Sequence, residues 1–151
     1  MRRLAYPVTL TPANLAEGGD PADTGFVVTF RDLPEAITQG ETVMDALDAA
    51  ADGLEEALAH RLSKGIAIPV PSDTSSGERV IAPSITIAAK AALAQCMAEA
   101  GMTKVALAKL LDIDEKAVRR LLDPNSASKL PRIEEALAAL GHRLVAELET
   151  A

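Results

Sequence analysis

MTKVALAKLLDIDEKAVRRLL, running from Met102 to Leu122, has the spacing of two short helices packed across a tight turn. Two helices cross closely only where small and apolar side chains recur at fixed offsets on their facing sides. Leu107, Ala108 and Leu111 suit the inner face of the first helix, with Ala108 at the crossing. Ile113 plugs the turn, and Val118 and Leu121 form the inner face of the second helix. Thr103 and Asp114 stand as N-caps immediately before the two segments, and Pro124 ends the second. The turn position usually filled by glycine holds Asp112, which tolerates the left-handed conformation better than most residues.

Glu115, Lys116, Arg119 and Arg120 then point outward, as residues that meet phosphates and base edges in a major groove must. Together with Thr103, Lys104 and Lys129 they are the candidate DNA-binding residues. Glu115 can read cytosine as an acceptor, although an acid at a helix start also repels phosphate.

Charge is divided unevenly around this segment. The chain of 151 residues carries a net charge of −7, and residues 1–80 hold 6 Lys/Arg against 13 Asp/Glu while residues 81–151 hold 9 against 9. An acidic first half repels nucleic acid and attracts a basic protein, so DNA affinity has to be local. From Met102 to Arg132 the balance is 7 basic to 4 acidic residues. The polar stretch PSDTSSGER, Pro71 to Arg79, marks a linker. The expected organisation is a domain over residues 1–70, a linker over 71–80 and a helix-turn-helix domain over 81–151.

The first half is expected to be α+β. Leu4, Tyr6, Val8 and Leu10 alternate as one face of a strand that Pro7 would place at a sheet edge. Phe26 to Arg31 is expected as a second strand, Ala36 to Gly40 as a third with Ile37 in the core, and Ile66 to Val70 as a fourth. Between them, Thr42 opens a helix that Gly65 closes, with Val43, Leu47, Ala51, Leu54, Leu58 and Leu62 facing the sheet. On a displaced stripe, Asp45, Asp48, Asp52, Glu55 and Glu56 concentrate negative charge, and these are the candidate residues for holding a basic partner.

Catalysis is disfavoured. A nuclease of the RNase H type needs carboxylates converging on divalent metal ions, and here the strand interiors lack Asp and Glu. His60 and His142 have no metal-ligand spacing, and phosphate-loop and nucleophile motifs are absent. No metal or cofactor is expected. Cys96, the single cysteine, is expected as a small buried residue. The N-terminus shows no signal-peptide pattern and no apolar run is long enough to span a bilayer, so the expected location is the cytoplasm, without a membrane partner.

TGFVVTF at Thr24 to Phe30, DLP at Asp32 to Pro34, the helix opening at Gly40-Glu41-Thr42 and IAIPVPS at Ile66 to Ser72 together resemble the HicB family of antitoxins. In the second half, AAKAALAQCMAEAGMTK at Ala88 to Lys104, VRRLLDP at Val118 to Pro124 and EALAALGHRL at Glu135 to Leu144 are similar to the helix-turn-helix version of that family. The resemblance implies a partial RNase H-like N-terminal domain that neutralises a toxin, and a C-terminal domain that represses its own operon. The implied partners are a HicA-like toxin, a small basic ribonuclease, and operator DNA. The alternative is a stand-alone helix-turn-helix regulator, or a protein-interaction module with no toxin partner. Leu144, Ala146 and Leu148 alternate after Gly141, so a short C-terminal strand is expected to pair two chains into a dimer or higher even oligomer.

Overall fold

Apolar residues at alternate positions put Tyr6 and Val8 on one face of β1 (Tyr6–Pro12), and Val28 and Phe30 on the same face of β2 (Phe26–Phe30). The computed structural model, which describes residues 1–150, joins these antiparallel with Val8 opposite Phe30 and Leu10 opposite Val28. β3 (Ile37–Gly40) adds to the free side of β2, and β4 (Arg79–Ile81) to the free side of β1. The sheet order is therefore β3-β2-β1-β4. Pro7 does not lie on an edge strand. It is tolerated inside the sheet because it sits one residue outside the β1–β2 ladder and faces only the three-residue β4.

α1 (Val43–Lys64) covers one face of the sheet. Its start is fixed by the Thr42 hydroxyl, which accepts a hydrogen bond from the Asp45 backbone N–H at 3.1 Å, and its end by Gly65 in the left-handed conformation. The buried stripe is Ala46, Ala50, Leu54, Ala57 and Leu58, rotated from the expected one, with Leu47 and Leu62 only partly buried at its margin. The small residues on that stripe reflect how closely the helix approaches β3. A methyl group on Gly40 would fall 2.3 Å from the Ala46 nitrogen, and one on Gly53 would fall 2.6 Å from Thr38 Cγ2.

The same crowding explains why Ile37 is 65% exposed instead of lying in the core. Thr38 and Gly40 take the helix-facing side of β3, and a shift of one residue sends the neighbour to the opposite face. Ala36, just ahead of the strand, is buried in its place.

Ile66 to Val70 forms no strand. Its path is fixed instead by the Tyr6 hydroxyl and the Gln95 side-chain amide, which donate to the Pro69 carbonyl at 2.8 and 2.9 Å. Burial drives the Tyr6 hydroxyl pKa well above its ordinary value, with Asp32 adding to the shift. An unfolded tyrosine ionises as pH passes about 10, while the folded one keeps its proton. The folded state then binds more protons, and stability falls as pH rises. Tyr6→Phe should therefore give a shallower loss of melting temperature than the wild type above about pH 10, read by circular dichroism.

The expected linker is also more ordered than its composition suggests. Arg31 donates to the Asp73 carbonyl at 2.8 Å and pairs with Glu78 at 2.5 Å, and Asp32 accepts from the Ser72 backbone and hydroxyl. Its last residues, Arg79 and Val80, belong to β4.

Four further helices follow: α2 (Ile85–Glu99), α3 (Lys104–Leu111), α4 (Glu115–Leu122) and α5 (Leu130–Ala139). Leu93, Met97, Leu107, Val118, Leu121, Ile133 and Leu137 build their shared core. Ile87 and Ala91 of α2 instead join the core beneath the sheet, so one helix contributes to both. The chain is thus α+β, a small antiparallel sheet with helices, as expected. The expected strand after Gly141 does not form within residues 142–150. Leu144 packs against the helical core and Glu147 pairs with Arg3 at 2.5 Å instead.

Candidate functional site

The tight turn between α3 and α4 is closed by Asp112 at φ 53°, the one non-glycine residue with positive φ among the described residues. Its backbone N–H caps the end of α3 on the Ala108 and Lys109 carbonyls. Thr103 caps the other end, accepting from the Ala106 N–H at 3.0 Å. Leu107, Ala108, Val118 and Leu121 are buried between the helices, as their spacing predicts. Lys116, Arg119 and Arg120 are consequently exposed on the outer side of α4. Asp114 stands at the N-cap of α4 but makes no side-chain cap bond.

Glu115 pairs with Arg119 one turn away, Oε1 to Nη2 at 2.7 Å, with the Arg119 side chain largely in solvent and that of Glu115 partly so. An exposed pair of this spacing is worth only about 0.3–0.5 kcal/mol, so an approaching phosphate can take Arg119 from it at little cost. Thr103, Lys104 and Lys129 are also exposed. Lys104 is the first residue of α3 and Lys129 the N-cap of α5. A cation at either position opposes the helix dipole, and a bound anion would offset both the charge and the dipole.

Lys90 is the main residue that spacing alone misses. It lies on α2 with no solvent exposure, and its Nζ donates to the Arg120 carbonyl at 2.9 Å and to Ser128 Oγ at 2.8 Å. Burial lowers its pKa, against a smaller upward pull from the Asp123 carboxylate. The buried amine satisfies a carbonyl at the C-terminal end of α4, where positive charge also suits the dipole. One signal was available in the sequence: Lys90 is a lone cation in the alanine-rich run from Ala88 to Ala94.

On α1, Asp45, Asp48, Asp52 and Glu56 are exposed along one ridge. Steps of three and four residues place them as neighbours, where like charges repel unless a cation intervenes. Glu55 is engaged differently. It accepts from the Ser84 N–H at 2.9 Å and from its hydroxyl at 2.6 Å, tying α1 to the residue that caps α2. The uncovered sheet face is uncharged along the cross-strand row Thr9, Thr29 and Ile37.

The carboxylates of Asp32, Asp45, Asp48 and Asp52 do not converge on a common point, and Asp32 is committed to Ser72. Among the described residues, the ligand atoms brought close enough for a metal ion are those of Cys96, Glu99 and His142, all within 4.8 Å of one another. Cys96 is buried as expected, and burial together with Glu99 pushes its thiol pKa up, away from a reactive thiolate. No described helix is long and apolar enough to cross a membrane.

The chain matches a family model described as a HicB-like antitoxin of bacterial toxin-antitoxin systems over residues 5–92. It is 36% identical over 141 residues to Antitoxin HicB of Escherichia coli K12, covering 93% of this chain and 96% of that one. Antitoxin HicB 1 of Photorhabdus laumondii is 29% identical over 149 residues, covering 99% and 90%. Antitoxin HicB of Pseudomonas fluorescens is 34% identical over 122 residues, covering 80% and 83%. The match runs through the sheet and α1 into α2, and the relatives extend it across the helix-turn-helix, so the chain belongs to the HicB-like antitoxin family of bacterial toxin-antitoxin systems.

Proposed function

We propose that this antitoxin inhibits a HicA-like toxin, a small basic ribonuclease, through residues 1–70, and represses its own operon by binding operator DNA through α3 and α4. The observation that carries the proposal is the segregation of charge: an exposed acidic ridge on α1, and exposed Lys116, Arg119 and Arg120 on α4. One surface suits a cationic protein and the other a polyanion. On this reading the protein acts by binding rather than catalysis, in keeping with relatives named as antitoxins. On this reading it works in the cytoplasm. Self-association as a dimer or higher even oligomer would let two helix-turn-helix units reach two half-sites.

The experiment is charge reversal on the ridge. Asp48, Asp52 and Glu56 changed together to Lys should slow association with the basic protein encoded beside this gene by about tenfold at low salt, and less at high salt. Glu55 is left alone because it holds Ser84. Stopped-flow association that is unaltered in the folded variant would move the toxin contact to the uncharged sheet face around Thr29 and Ile37.

A protein-interaction module without DNA binding is the second reading. It is favoured by the Asp114 carboxylate, which caps nothing and stands beside the start of α4, where it repels phosphate.

A further inference from the structure

We propose that Cys96, Glu99 and His142 form a zinc(II) site that fastens the start of the C-terminal tail to α2. Cys96 and Glu99 are three residues apart in the last turn of α2, so their side chains share a face. His142 reaches them from the far end of α5. Gly141, at φ 81°, turns the chain, and the His142 N–H bonds the Leu137 carbonyl at 2.9 Å, which fixes the backbone that carries the imidazole.

The donors are one thiol, one carboxylate and one imidazole, with their ligand atoms within 4.8 Å of one another. Bonds of about 2.0–2.3 Å in a tetrahedral zinc site put neighbouring donors roughly 3.3–3.8 Å apart. The remaining contraction is within reach of rotamer changes at Glu99 and His142, which are both exposed. Sulfur and imidazole ligands select zinc over magnesium or calcium, and three protein ligands leave a fourth position for water. On coordination the thiol proton passes to solvent.

The fold already places a cation at this point. Arg2 donates to Glu99 Oε1 at 2.6 Å and to Gln95 Oε1 at 3.1 Å. Zinc would displace that guanidinium or take the second carboxylate oxygen, so the two cations compete. Arg2 belongs to the N-terminal segment ahead of β1, and its release leaves both cores untouched.

The test is titration of the untagged full-length chain with zinc chloride by calorimetry, together with cobalt(II) as a spectroscopic stand-in. One zinc per chain is expected, and a thiolate-to-cobalt charge-transfer band. His142→Ala removes an exposed side chain and spares the cores, and it should weaken zinc binding by about tenfold or more. Cys96→Ser should abolish the band, and Arg2→Ala should tighten binding by removing the competitor. A wild-type chain that takes up no zinc, uptake unchanged in His142→Ala, or a cobalt complex without the thiolate band would each overturn the site.

Discussion

Changing Lys116, Arg119 and Arg120 together to alanine will weaken operator binding by about 3 kcal/mol or more, roughly a hundredfold in Kd, at constant salt. On the proposed reading three phosphate or base contacts are lost, and Glu115 is left without its ion-pair partner Arg119. The slope of log affinity against log salt should fall by about 3, because fewer counterions are released on binding. The fold should survive. Arg120 serves the core through its backbone carbonyl, which alanine retains for Lys90, and alanine favours helix. Fluorescence anisotropy on operator DNA at several salt concentrations measures both quantities, and a thermal melt within a few degrees of wild type secures the comparison. Normal binding by the triple variant would mean that α4 is not the recognition helix.

The second large effect is expected at Lys90. Lys90→Ala removes a buried stem and two hydrogen bonds, at a cost of about 3 kcal/mol. For a chain of this size that lowers the melting temperature by roughly 6–12 °C. Lys90→Met keeps most of the volume and loses only the amine, so it should cost less. The Arg120 carbonyl is not orphaned in either variant, since Ser128 Oγ also donates to it at 2.9 Å. Both variants should bind operator more weakly than their helix content suggests, because the end of α4 and the turn that carries Lys129 lose their tie to α2. A Lys90→Ala protein that melts and binds like wild type would show that the amine pins nothing.

The parts of this molecule that follow from local chemistry were legible in the sequence. Thr42, Gly65, Thr103 and Asp112 act as the caps their residue types suggest, and helical spacing placed Leu107, Val118 and Leu121 in the core. What failed depends on neighbours. Ile37 is a strong strand residue, but its face was decided by how closely α1 presses on Gly40 and Thr38. Ile66 to Val70 alternates like a strand, yet Tyr6 and Gln95 hold it as a loop while Arg79 to Ile81 takes the ladder. On the candidate sites, sequence placed the cationic face of α4 and most of the acidic ridge, but not the engagement of Glu55 with Ser84. Nor could it show Lys90 beneath Arg120, or His142 beside Cys96, since both juxtapositions are made by tertiary packing alone.

The double allegiance of α2 limits how this protein can be cut and recombined. The polar segment from Pro71 to Glu78 looks like a natural seam for exchanging one DNA-reading module for another. A cut there would strip Ile87 and Ala91 from the core under the sheet and leave Glu55 without Ser84. The usable seam lies after α2, at Gly101, where the chain turns with positive φ and a methyl group would meet nothing. A chimera joined there keeps Lys90, and its new second helix must present a carbonyl where the Lys90 amine can reach it. If α4 reads operator DNA as proposed, exchange of specificity is therefore constrained less by its exposed residues than by one buried amine behind them.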